Sequence, residues 1–128
     1  MSVRTAVYDI LQADSNVTDE VSTRVFMSRG NQEETIPFIV FEADMIENTY
    51  TKDKTSTVDK WRVELDIYHD SIANAEALGL LVRSALQGYT GTINSVTVQG
   101  CVLEVEQQDY DVDEFPLWSQ DYEIRIER

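Results

Sequence analysis

The chain has 128 residues, a mass of 14.7 kDa and 42% hydrophobic residues, enough for one domain with a real core and too little for two. Twenty-four acids against ten bases give a net charge of −14 and a pI near 4.2. That balance repels phosphates and argues against a nucleic-acid or anionic-membrane binder. A single cysteine and a single histidine exclude an internal disulfide framework, suit a reducing compartment and leave too few ligands for an ordinary zinc site.

Residues 1–11 carry Arg4 and Asp9 and lack the apolar block of a signal peptide. The longest uncharged stretch, 84–103, is broken by Gln87, Gly88, Gly91, Asn94 and Gln99 and is too polar for a membrane helix. The chain is therefore expected to be soluble and cytoplasmic.

In chain order, Val3, Val7, Ile10 and Leu11 form one stripe of a short amphipathic helix, with Arg4, Asp9 and Gln12 on the wet side. Val17 and Val21 behind Asn16 as a cap predict one further helical turn. Residues 24–28 read as a short strand. Pro37 opens the next run, and Phe38, Ile39, Val40 and Phe41 predict a strand covered on both faces. Residues 48–57 are rich in Thr and hold Lys52, Asp53 and Lys54, which predicts a long polar hairpin tip. Trp61, Val63, Leu65 and Ile67 alternate with Arg62, Glu64, Asp66 and Tyr68, the cleanest strand in the chain.

Ser71 as a cap and Gly88 as a terminator bracket a helix striped by Ala75, Leu78, Val82, Ala85 and Leu86, with Leu81 widening the stripe. Gly79 inside it predicts close approach to a sheet. Val96 and Val98 alternate, Gly100 predicts a bulge, and Leu103 and Val105 are expected to resume the alternation against Glu104 and Glu106. After an acidic loop, Trp118, Tyr122, Ile124 and Ile126 share a face opposite Asp121, Glu123, Arg125 and Glu127. The expected fold is α+β, a single domain over 1–128. It has a mainly antiparallel sheet and two helices packed on one face, in the order α-β-β-β-α-β-β.

No motif commits the chain to catalysis. His69 beside Asp70 is a conceivable acid–base pair, but it reads better as a helix-entry residue. Cys101 lacks an activating base and reads as a small buried hydrophobe. Asp109, Asp111 and Asp113 imitate the start of a calcium loop. The sixth position is Glu114 instead of Gly, however, and the twelfth is Gln120 instead of Glu. The five glycines form no phosphate cradle. No catalytic, cofactor or metal site is expected. What stands out is surface: the polar tip, and residues 101–128, whose nine acids and two bases hold −7 of the −14.

Read end to end, the chain resembles the tail-completion, or tail-terminator, proteins of long-tailed phages. The resemblance is carried by the order of weak motifs. These are Val7-Tyr8-Asp9-Ile10-Leu11, Arg24-Val25-Phe26, Ile36-Pro37-Phe38-Ile39-Val40-Phe41, the strand 61–68, the alanine-rich helix 73–86, Val98-Gln99-Gly100, the acidic stretch 104–113 and a final alternating strand. It implies a structural protein without an active site, working in the virion at the head–tail junction after assembly in the host cytoplasm. Its implied partners are copies of itself in a ring, usually a hexamer, the tail tube protein and the head connector. Such a ring ends tube growth and docks the head. Six copies at −14 each total −84, a charge that would let DNA pass the lumen without sticking. The expected interface residues are Glu47 beside the tip and Tyr50, Lys52 and Lys54 within it, where the tip or an exposed strand edge pairs with a neighbouring subunit or the tube by strand addition, and Asp109, Asp111, Asp113 and Glu114 in the acidic loop, facing a basic patch across a subunit boundary. The alternatives are a head-side connector protein of the same machine, an acidic DNA mimic that inhibits a DNA-processing enzyme, or an enzyme using His69 and Asp70.

Overall fold

The computed structural model describes residues 2–27, 35–49 and 58–127, the side chains of 47–49 excepted. Ser2 caps helix α1 (Val3–Ala13). Its hydroxyl accepts from the Arg4 amide at 3.2 Å, and its own amide donates to the Thr5 hydroxyl at 3.1 Å. The predicted stripe of Val3, Val7, Ile10 and Leu11 is buried, joined by Ala6. Helix α2 (Ser15–Val21) is longer than the single turn expected, and its cap is Asp14, not Asn16. Asp14 Oδ1 takes the amides of Asn16 and Val17 at 3.0 and 3.2 Å, and its charge suits the positive end of the helix. Helix α3 (Ile72–Leu86) starts at Ser71, whose hydroxyl accepts from the Asn74 amide at 3.1 Å, and stops before Gly88 at φ 77°.

Six strands form one sheet: β1 (Val25–Phe26), β2 (Phe38–Thr49), β3 (Val58–Tyr68), β4 (Gly91–Ile93), β5 (Val96–Tyr110) and β6 (Pro116–Glu127). Their order is β1-β2-β3-β6-β5-β4, antiparallel throughout except for the β1–β2 pair. The strand beyond the expected five is β4. It folds back onto β5 through Asn94 and Ser95, both at positive φ (51° and 69°), the two-residue turn whose twist matches a hairpin.

The α+β expectation holds. All three helices lie against one sheet face, where Ile39, Phe41, Val63, Leu65, Ile67, Tyr122 and Ile124 meet Val7, Leu11, Val17, Leu78 and Val82. The opposite face carries a smaller cluster of Phe38, Val40, Tyr68 and Leu117, flanked by Phe26 and Ile36. Residues 38–41 are thus covered on both faces, as an unbroken apolar run requires.

Strand β5 departs from its expected alternation. A first register shift lies between Val98 and Gly100, where the glycine predicted a bulge. A second lies between Leu103 and Val105 and has no glycine to announce it. Leu103 pairs with Tyr122 on the helix face, but Val105 pairs with Asp121 on the open face and Glu106 with Gln120 on the helix face. One extra residue reverses every side chain beyond it. Val105 is consequently exposed, and Glu106 turns inward.

Candidate functional site

The residues with latent chemistry are engaged structurally. Cys101 is buried at 2% exposure, and burial pushes its thiol up to about 12, so it stays protonated and poorly nucleophilic at neutral pH. His69 Nδ1 lies 2.9 Å from Asp70 Oδ1, with Nε2 3.5 Å from Glu20 Oε1. Asp70 Oδ1 also takes the Asn74 side-chain amide at 2.7 Å, and that bond, with His69 beside it, holds the carboxyl below its ordinary value. The cluster thus ties the entry of α3 to α2. It does not line the cavities at Trp61 (about 290 Å³), between α1 and Tyr89 (about 170 Å³) or at Arg4 (about 400 Å³).

The acidic loop is an ordered hairpin turn. Asp111 Oδ1 accepts from the amides of Asp113 and Phe115 at 2.9 and 2.8 Å. The Asp111 amide donates to the Phe115 carbonyl at 3.1 Å, and the Glu114 amide to the Asp111 carbonyl at 2.9 Å. Glu114 sits at φ 62°, the position a calcium loop gives to glycine. Asp109 Oδ1 accepts from the Tyr110 amide at 2.8 Å. Oδ1 of Asp109 and of Asp111 thus accepts from nearby backbone amides, and among the described residues no group of His, Cys, Asp and Glu is arranged to hold a metal.

The two sets of expected interface residues do not form one site. Thr49 pairs with Val58 and Val58 with Glu127 at one end of the sheet. Tyr68 pairs with Leu117 and Tyr110 with Pro116 at the other. The eleven residues of β3 between them span about 35 Å. Asp109, Asp111, Asp113 and Glu114 are brought together at the second end. Glu47 belongs to β2 at the first end, and its side chain lies outside the described residues, as do Tyr50, Lys52 and Lys54 entirely.

Two features were missed in the sequence. The first is a part-buried polar network between α3 and the β5–β6 hairpin. Glu106 Oε1 accepts from Trp118 Nε1 at 2.9 Å and Gln120 Nε2 at 3.1 Å, while Oε2 accepts from Arg83 Nη1 at 2.6 Å. Gln120, at 0% exposure, also donates to the Gly79 carbonyl at 2.9 Å and accepts from the Tyr122 hydroxyl at 2.9 Å. Burial pushes the Glu106 carboxyl up, but the bonds from Trp118, Gln120 and Arg83 together with the Arg83 charge outweigh it and hold it below its ordinary value. No single-sequence signal marks this network, because it depends on the unannounced bulge.

The second is a carboxylate row across the open sheet face. Glu42 pairs with Glu64 and Glu64 with Asp121, three like charges on adjacent strands about 5 Å apart. Partial burial, then Asp121, Asp66 and Glu42, push Glu64 above its ordinary value against the pull of Arg62. The alternation of β3 and β6 contains this signal, but only the register aligns the acids. Arg62, Lys60 and Arg125 follow along the same face, so the row is not the unbroken anionic track that a DNA mimic needs.

Comparison with known proteins identifies one family: the family described as Tail completion protein gp17 matches residues 5–127. Among solved structures, a chain of the "Virion of native gene transfer agent (GTA) particle" superposes with a TM-score of 0.80 at 18% identity. The superposition covers 99% of this chain and 96% of that one. The gp17 protein of bacteriophage SPP1 superposes with a TM-score of 0.52 at 14% identity, over 98% of this chain and 88% of that one. At those identities the superpositions speak to fold. No curated protein matches.

Proposed function

The chain belongs to the tail completion protein gp17 family, and we propose that it forms a ring, a hexamer in the form its family resemblance implies, at the head-proximal end of a tail tube. It is a structural tail protein, and its task is interface complementarity instead of turnover. In this reading the ring stops tube polymerisation and joins the tail to the head connector in the finished particle.

The observation that carries the reading is the family match over residues 5–127. The fold supports it with two sheet ends about 35 Å apart, a separation that suits an adaptor between two different surfaces. The acidic turn at one end meets a basic surface, and the end marked by Glu47 meets a neighbouring copy or the tube. With −14 per copy, DNA crosses the lumen without being held.

The test is deletion of the gene from the element that carries it, followed by negative-stain microscopy of the lysate. Filled heads beside detached tails of uncontrolled length are expected. Normal, joined and infectious particles would overturn the reading.

A further inference from the structure

We infer that the β5–β6 hairpin tip is a preformed docking finger. Its apex, Val112, seats in an apolar pocket with a basic rim on a different virion protein, not on a second copy of this chain. The inference deepens the structural-tail reading and rests on it.

Three observations converge. Val112 is 97% exposed at the apex, with Tyr110 at 55% and Phe115 at 37% beside it. Scattered exposed apolar residues are ordinary, but here three occupy one turn. The turn is also rigid: Asp111 takes two amides through its side chain and closes two further backbone bonds, and Phe115 leans on Tyr68 at 5.8 Å. An apolar residue on a prefixed loop loses little freedom on binding. Below it, residues 107–110 of β5 are exposed on both faces. At the base Glu106 bonds the hairpin to Arg83 of α3, so the finger keeps a fixed angle to the core.

Charge selects the partner. Asp109, Asp111, Asp113 and Glu114 surround the apex, and residues 107–117 contain no base. An acidic collar around an apolar point fits an apolar pocket ringed by Lys or Arg. The three cavities described above do not match it. The one at Trp61 carries Asp59 and Glu127, the one beside α1 carries Asp14, and the one at Arg4 also holds Glu42 and Asp44.

The test complements the gene deletion with chains altered at Val112. In assembled particles, a photo-crosslinking phenylalanine analogue at Val112 is expected to join a peptide of a different virion protein, beside Lys or Arg. Val112→Asp is expected to keep the wild-type melting temperature, since the side chain touches nothing in the fold, and to lower the infectious or transfer titre at least about tenfold. Val112→Ile should retain it. A crosslink to another copy, no crosslink, or a Val112→Asp titre equal to wild type overturns the finger. Absence of the wild-type chain from purified particles, read by mass spectrometry, is the separate result that overturns the structural-tail reading and the finger with it.

Discussion

Glu64 and Glu106 are both glutamates on strands of the same sheet, and their surroundings push them in opposite directions. Glu64 is partly buried and faces Asp121 and Glu42 across the ladder, so the folded chain holds its proton more tightly than the unfolded chain does. Its contribution to stability therefore falls as pH rises from the ordinary carboxylate value, 4.5, through the raised one. Glu64→Gln is expected to stabilise the protein at pH 7 by roughly 0.5–1 kcal/mol, the scale of a like-charged cross-strand pair. Urea titration should show that gain at neutral pH and little of it near about pH 3, where Glu64 is protonated in both states. Glu106 behaves oppositely. Its folded value is depressed, so its stabilisation is present above 4.5 and lost as pH falls through the lower value. Glu106→Gln weakens three bonds to a charged acceptor and leaves Arg83 without its counter-ion, at a cost of about 2 kcal/mol. A thermal melt at pH 7 reads that loss directly, and the deficit should shrink in acid.

At the scale of the element, α3 approaches β6 more closely than a side chain allows. A Cβ at Gly79 would lie 2.5 Å from Trp118 Cδ1 and 2.9 Å from its Nε1. The indole cannot swing away without giving up its bond to Glu106. Gly79→Ala gains about 1 kcal/mol of helix propensity but overpacks a locked contact at a cost of about 1–3 kcal/mol. The expected result is a net loss, seen as a lower melting temperature with unchanged helicity in far-UV circular dichroism. Gly79 also shows how much of the architecture was legible. A glycine inside an apolar stripe announced close packing, just as Ser71 and Gly88 announced the ends of α3 and the alternation from Trp61 to Ile67 fixed the inner face of β3. What stayed illegible was the second bulge of β5. Alternation is a period-2 signal, and one extra residue without a glycine leaves no local trace. The reading therefore put Val105 inside and Glu106 outside, and it missed the network that Glu106 organises. Asp14 was passed over as a cap for a related reason, since three polar residues in succession compete and only the backbone decides among them. Half of the candidate site was legible as composition, the acids of residues 109–114. That the acidic loop lies at the sheet end opposite to Glu47 depends on the register of the strands.

For the whole molecule, −14 on 128 residues means that folding gathers like charges which the unfolded chain keeps apart. Ion pairs such as Arg83 with Glu106 and Arg125 with Glu123 engage single acids, and ten bases cannot neutralise twenty-four acids. The carboxylate row concentrates the repulsion on one sheet face. Salt should therefore act as a stabiliser, because the screening length contracts from about 30 Å at 0.01 M to about 3 Å at 1 M. Thermal melts across that range at pH 7 are expected to rise by several degrees, and a melting temperature that falls with salt would mean that attraction, not repulsion, dominates the fold. Glu64→Gln separates this from a general salting-out effect. If the row is the main source of repulsion, that variant starts from a higher melting temperature and gains less from salt, whereas equal gains would place the repulsion elsewhere on the surface. The same screening predicts how the chain assembles. Copies carrying −14 each repel one another at low salt, so any self-association of the isolated protein should strengthen as NaCl is raised, as sedimentation velocity at fixed protein concentration can show. Docking of an acidic finger to a basic partner should weaken over the same range, so the two kinds of contact have opposite salt dependences and can be told apart in one titration.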